Sequence, residues 1–189
     1  MAYCDYIPSM AEPSRSLHKN YHDNHYGFAI HDDDEIFGRL IMEINQAGLS
    51  WVTILKKEHT FRKAYDNFSI AKIAAYREDD RERLLQDPGI IRNKLKVNAA
   101  IENAKTILSL QKEYGSFEKW LQFHHPKTKA EWVKLFKKTF KFTGGEIVGE
   151  FLMSIGYLPG AHAESCVIYK KILSEEPMFL ISEGANQIK

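Results

Sequence analysis

The sequence predicts an all-α protein, and three observations carry that prediction. Apolar residues recur with helical spacing in one segment after another, as in Phe37, Leu40, Ile41 and Ile44 at i, i+3, i+4 and i+7. No stretch shows the period-two alternation of a half-buried strand. The segments are bounded by residues that start or stop helices: clusters of Asp, single Ser and Thr, and Pro-Gly.

Taken in order, residues 1–20 carry weak periodicity and two prolines, and read as an irregular arm holding Cys4, with a short helix near Ser16–Tyr21. Asp32, Asp33 and Asp34 supply a cap and favourable charge for a helix starting near Asp34. Glu43 falls at the edge of that helix's apolar face, which predicts a carboxylate half sunk into the core. Gly48 lets the chain turn, and Trp51 opens the next apolar run with Ile54 and Leu55. Helices are expected over Ser50–Lys57 and Glu58–Asp66. Ser69 reads as the N-cap of a short helix with Ile70, Ile73 and Ala74, and Asp79 and Asp80 open another that ends near Leu85. Gln86-Asp87-Pro88-Gly89-Ile90-Ile91 breaks the helix, and a long one follows with Val97, Ile101, Ala104 and Leu108 on one face. Ser116 caps a small helix carrying Trp120. Thr128 and Glu131 form a capping box ahead of Trp132, Leu135 and Phe136. Gly144–Ile155 gives a strong helix, with Ile147, Val148, Phe151, Leu152 and Ile155 inward and Gly156 at its C′ position. From Val167 onward the pattern is weak, and a partly loose tail is expected.

A chain of 189 residues with 44% hydrophobic residues fits one domain, 1–189, or two closely fused helical lobes with a sizeable core. A net charge of +1 means that any nucleic-acid surface must be local. No apolar run reaches the ~18 residues of a membrane span, and the N-terminus lacks the basic-then-apolar order of a signal peptide. The 2 cysteines stand at opposite ends and make no disulfide framework. A cytoplasmic, reduced, monomeric protein is the expectation.

Three groups of residues carry chemistry. Glu43 and Trp51, eight residues apart across Gly48, form two walls of one pocket if both face it. The Pro-Gly hairpin between helices (residues 80–112) offers Gly89, with no side chain over its amide, and then Arg92, Lys94 and Lys96. Helix N-termini and local positive charge together suit a phosphate backbone. A second basic stretch, Lys127 to Lys141, holds six lysines against Glu131. Pro-Gly turns and lysine faces also occur without a ligand. Finally, His162-x-x-x-Cys166 places two soft metal ligands together, with Cys4 and His22 candidates from the other end (1–26 against 157–170). His18 with His22, or His22 with His25, also have ligand spacing, so the residues alone leave the set open.

Tyr21-His22-Asp23-Asn24, Gln46-Ala47-Gly48-Leu49-Ser50-Trp51 and Leu55-Lys56-Lys57 stand at separations that resemble the DNA-3-methyladenine glycosylase I family, one of the helix-hairpin-helix DNA glycosylases. The resemblance runs from about Cys4 to Cys166. It implies the helix-hairpin-helix glycosylase fold, with a structural zinc on Cys4, His22, His162 and Cys166 joining the two ends. It implies hydrolytic removal of 3-methyladenine from alkylated double-stranded DNA in base-excision repair. Tyr21 and Trp51 would stack the flipped base, and Glu43 would receive its hydrogen bonds. Tyr6, His18 and Tyr26 stand where the family more often has Trp, Tyr and Trp, so Tyr6 and Tyr26 are expected at a less apolar pocket rim. Gly149-Glu150 stands in place of a frequent Tyr-Ser pair. No aspartate lies between Gly156 and Cys166 and no lysine stands out as a Schiff-base nucleophile, which implies a monofunctional hydrolase. The departures keep two alternatives open: a non-catalytic helix-hairpin-helix DNA-binding module, and a zinc-stabilised interaction protein.

Overall fold

Three consecutive aspartates fix the centre of the fold. The computed structural model describes residues 3–181, which are helical with short 3-10 turns and no strand among them. Asp32 is the N-cap of α3 (Asp33–Gln46) and accepts the Glu35 amide at 2.9 Å. Asp33 reaches across to α8 (Phe117–His124), accepting the Phe117 and Glu118 amides at 2.7 and 3.0 Å. Asp34 accepts the Ile70 amide, which opens α5 (Ile70–Ala74), at 2.8 Å. A helix start exposes unpaired amides, so neighbouring carboxylates here pin the starts of three helices. Ser69 occupies the predicted N-cap position of α5 but makes no side-chain cap bond; Asp34 bonds the first amide instead.

The predicted apolar face of α3 forms the middle of the core: Ile36, Phe37, Leu40, Ile41 and Ile44 are all buried. Gly38 is required there, because a Cβ would lie 2.4 Å from the Phe68 ring. After Gly48, at φ +80°, the chain enters α4 (Trp51–Ala64). This is one helix where the sequence suggested two, since nothing between Lys57 and Glu58 interrupts the hydrogen-bond ladder. α6 (Glu78–Gln86) and α7 (Lys94–Tyr114) flank the Pro-Gly turn, and α7 buries Val97, Ala100, Ile101, Ala104 and Ile107, with Leu108 half-buried. The Thr128–Glu131 capping box opens α9 (Lys129–Thr139) as predicted. α9 packs on α10 (Gly145–Ser154), which packs on α3, and Gly156 follows α10 at φ +77°.

The two ends are more ordered than expected. The N-terminal arm forms α1 (Tyr3–Tyr6) and a longer helix, α2 (Ser14–Asn24), than the predicted Ser16–Tyr21. Where a loose tail was expected, α11 (Val167–Ser174) forms, with Ile172 buried, and the Phe179 amide donates to the Gly156 carbonyl at 3.0 Å. Its weak pattern reflects one buried apolar residue in two turns. The rest of the expected tail, 182–189, lies outside the described residues.

Candidate base-binding pocket and metal cluster

A cavity of about 740 Å³ opens between α2, α3, α4 and α10. Its walls bring together Tyr21, Glu43 and Trp51, with Tyr6 and Tyr26 also lining it. The Tyr21 and Trp51 rings meet edge to face, centroids 5.1 Å apart, and Tyr26 lies 5.5 Å from Tyr21. Trp51 is half-buried, and its buried indole Nε1 has no hydrogen-bond partner. Tyr6 is exposed at the rim, whereas Tyr26 is buried and its hydroxyl donates to Glu150 Oε2 at 3.0 Å. Leu49 stands exposed on the turn between Glu43 and Trp51. His18 is buried under Tyr3, whose hydroxyl pairs with its Nδ1 at 2.7 Å.

Glu43 is sunk deeper than the helical wheel suggested: it is 4% exposed, not at a half-wet edge. The wheel predicts one buried face, but α10 covers the flank of α3 where Glu43 sits. Burial pushes its carboxyl up to about 8; the Arg39 guanidinium opposes this and the Glu150 carboxylate adds to it. Arg39 was not singled out from the sequence. It donates to the Tyr21 hydroxyl at 2.9 Å and lies 5.0 Å from the Tyr21 ring centre, so it orients that ring and places positive charge beside Glu43. A charged residue inside an apolar helical stripe was the signal that could have found it.

Cys4, His22, His162 and Cys166 converge although they come from opposite ends of the chain. Their ligand atoms all lie within 4.8 Å of one another, a group that could hold a metal ion. His22 Nε2 is 3.2 Å from Cys4 Sγ and 3.0 Å from His162 Nδ1, and Cys166 Sγ is 3.7 Å from His22 Nε2. The far nitrogens are engaged: His22 Nδ1 meets Asp23 Oδ1 at 2.7 Å, and His162 Nε2 meets the Tyr26 carbonyl at 2.7 Å. Those contacts select the tautomer that turns each lone pair toward the cluster. The Ala163 amide donates to Cys4 Sγ at 3.4 Å. His18 and His25 do not join the set.

The hairpin residues part company. Arg92 and Lys94 are exposed at the start of α7. Lys96 is not: it is 4% exposed and its Nζ donates to the Asn45 and Ala47 carbonyls at 2.8 and 2.7 Å. This corrects its place among the surface cations. Its stem runs inward from the first turn of α7, and the ammonium satisfies two carbonyls at the C-terminal end of α3. The Gly89 amide is also taken, donating to Asp87 Oδ1 at 2.7 Å, and its carbonyl accepts from Thr60 Oγ1 at 2.6 Å. Of the second basic stretch, Lys129 pairs with Glu146 at 3.5 Å, while Lys134, Lys137, Lys138 and Lys141 are exposed.

Comparison with known proteins agrees with this geometry. A family described as methyladenine glycosylase matches residues 11–134. DNA-3-methyladenine glycosylase 1 of Escherichia coli (strain K12) is 34% identical over 172 residues, covering 81% of this chain and 91% of that protein. DNA-3-methyladenine glycosylase of Haemophilus influenzae is 32% identical over 171 residues, covering 80% and 92%. A solved structure of a Tyr→Phe variant of 3-methyladenine DNA glycosylase I in complex with 3-methyladenine aligns with a TM-score of 0.77 at 29% identity, over 89% of this chain and 97% of that one. The Staphylococcus aureus 3-methyladenine DNA glycosylase I aligns equally well, TM-score 0.77 at 28% identity over 89% and 97%. With sequence and fold matched over most of its length, the chain belongs to the methyladenine glycosylase family, the family of the DNA-3-methyladenine glycosylase I proteins.

Proposed function

We propose that this enzyme extrudes 3-methyladenine from alkylated double-stranded DNA and hydrolyses its N-glycosyl bond, as a monofunctional glycosylase of base-excision repair. One observation carries the reading most: a buried carboxyl, Glu43, lines an aromatic cavity and makes no hydrogen bond to the protein among the described residues. Its oxygens are not sealed in the core but open on that cavity, so the carboxyl is available to a ligand. N3-methylation leaves the base in DNA cationic and weakens its glycosidic bond, so the enzyme need not strongly protonate a leaving group. Tyr21 and Trp51 offer faces and edges on which a flipped base stacks, worth about 1–3 kcal/mol. Entry of a cation lowers the carboxyl's pKa, so Glu43 gives up its proton as the base binds; neutral adenine provides no such drive. Leu49, exposed on the turn beside this pocket, is suited to fill the gap left in the base stack. The intact pocket favours an enzyme over a non-catalytic DNA-binding module.

The rest of the reading has its own supports. The α6–turn–α7 unit is read as the helix-hairpin-helix, gripping backbone phosphate through the exposed Arg92 and Lys94. The cluster of Cys4, His22, His162 and Cys166 is read as a structural zinc site. Zinc–sulfur and zinc–nitrogen bonds of about 2.3 and 2.0–2.1 Å in a tetrahedron put ligand atoms about 3.3–3.8 Å apart. Five of the six ligand-atom separations here are 3.0–3.8 Å and all six lie within 4.8 Å, close to that shape. When bound, zinc would supply cross-linking and no catalysis, since four protein ligands leave no open position. His22 adjoins Tyr21, so the cluster would stiffen the backbone under the stacking ring. The whole chain is read as one cytoplasmic, monomeric glycosylase domain.

The test is base release. Duplex DNA treated with a methylating agent should yield free 3-methyladenine when incubated with the purified protein, without strand cleavage. Unchanged DNA in that assay would overturn the proposal.

A further inference from the structure

The pocket holds a second carboxylate that base recognition through Glu43 leaves unused. Glu150 sits on α10, on the wall that faces α3, and lines the same cavity as Glu43 and Trp51. Its Oε2 accepts the hydroxyl of Tyr26, a buried side chain packed edge-on against Tyr3 with centroids 5.4 Å apart. Among the described residues no Lys, Arg or His nitrogen lies within 4 Å of it. Glu146, the other acid that α10 brings to the cavity, is exposed and pairs with Lys129, whereas Glu150 is half-buried and has no such partner. Glu150 therefore brings to the cavity a carboxylate with no ion-pair partner of its own among the described residues, and its charge is felt at Glu43, whose ionisation it opposes while Arg39 favours it. A cation entering between the two acids lets Glu43 ionise beside the charge on Glu150.

We propose that Glu150, held by Tyr26, is a second recognition carboxylate, supplying a standing negative charge by which the pocket selects cationic N-alkylated purines over neutral ones. This deepens the proposed function and rests on the cavity being the base pocket. The two acids divide the work. Glu43, deep on α3, meets the edge of the base by hydrogen bonding. Glu150 acts through space across the cavity, where partial exclusion of water lengthens the reach of a charge. A through-space attraction does not depend on which ring nitrogen bears the alkyl group. Glu150 thus widens acceptance from one methylated adenine to the class of positively charged alkylated purines, with pocket shape setting the limit.

The experiment is a binding comparison by titration calorimetry at neutral pH. One ligand is the 3,9-dimethyladenine cation and the other is 9-methyladenine, its neutral analogue of nearly the same shape. The parent should prefer the cation, and Glu150→Gln should lower that preference about tenfold, which is ~1.4 kcal/mol, while leaving 9-methyladenine affinity within about twofold. Glu150→Asp keeps the charge and should restore the preference to within about threefold of the parent. Tyr26→Phe removes the hydrogen bond but not the charge, and should cost less than Glu150→Gln. A parent-like preference in Glu150→Gln, or equal loss of both ligands, would overturn the proposal; the second result would mean that Glu150 only shapes the pocket. Base release from methylated DNA, measured on the same parent protein, keeps the two readings apart. A parent that prefers the cation through Glu150 but releases no base contradicts the glycosylase reading alone. A parent that releases base while Glu150→Gln keeps its preference contradicts this inference alone.

Discussion

Glu43 is where sequence, packing and chemistry meet in one side chain. Its position on the helical wheel showed an acid beside an apolar face; the packing of α10 turns that into near-complete burial and a pKa of about 8. The sign of the consequence follows from linkage. In the unfolded chain the group titrates near its ordinary 4.5, so between 4.5 and about 8 the folded state holds a proton that the unfolded state does not. Its contribution to stability is full below 4.5 and declines as pH rises toward about 8, by at most ~1.4 kcal/mol per pH unit. Glu43→Gln should flatten that slope and leave the variant more stable than the parent at pH 8. Denaturant unfolding at several pH values measures it, and parallel profiles would show that Glu43 is not buried in the folded protein. Trp51→Ala should weaken binding of the flipped base by about 1–3 kcal/mol, read as the affinity for duplex carrying a cationic base against undamaged duplex.

At the scale of elements, the hairpin and the pocket are physically joined. Lys96 leaves the first turn of α7 and closes the carbonyl end of α3, immediately before the Gly48 turn. Lys96→Met keeps most of the stem but leaves the Asn45 and Ala47 carbonyls without their donor. Stability should fall by about 1–3 kcal/mol, and base excision should fall with it because the Gln46–Trp51 turn loses its anchor. Lys94, exposed, should behave differently. Lys94→Ala should leave the melting temperature nearly unchanged and reduce the slope of log affinity for duplex DNA against log salt by about one contact. If the two variants exchanged these behaviours, the assignment of inward and outward lysines would be wrong.

For the molecule as a whole, legibility depended on whether a signal was local. The α3 stripe, the Ser116 and Thr128 caps, the Pro-Gly break and Gly156 could be read because each uses neighbours within one turn of chain. The metal set and the stacking roles could be named only through resemblance; spacing alone put Trp51 on a pocket wall with Glu43 but left His18 and His25 in play among the ligands. What stayed hidden depends on partners far away in sequence. Asp33 and Asp34 cap helices some 84 and 36 positions on, Lys96 bonds carbonyls 51 and 49 positions back, and Arg39 orients Tyr21 from the next helix. α11 was missed because a single buried Ile172 leaves no periodic stripe. The same distance argument predicts the consequence of breaking the end-to-end link. If a metal joins Cys4 and His22 to His162 and Cys166, Cys166→Ser or a strong chelator should lower the melting temperature and open the N-terminal arm to proteolysis. Metal analysis of the purified chain should give about one zinc per molecule. A metal-free protein of undiminished stability would remove the link.

The central claim is that the buried Glu43 carboxyl binds the damaged base and thereby permits its release. The most direct measurement is single-turnover release of 3-methyladenine from methylated duplex by the parent and by Glu43→Gln, with overall duplex affinity measured in parallel. The Gln variant keeps the size and an acceptor oxygen but cannot ionise. Its rate should fall at least tenfold, about 1.4 kcal/mol or more, while duplex affinity, dominated by phosphate contacts, stays close to the parent's. A Gln variant that releases base at the parental rate would contradict the account.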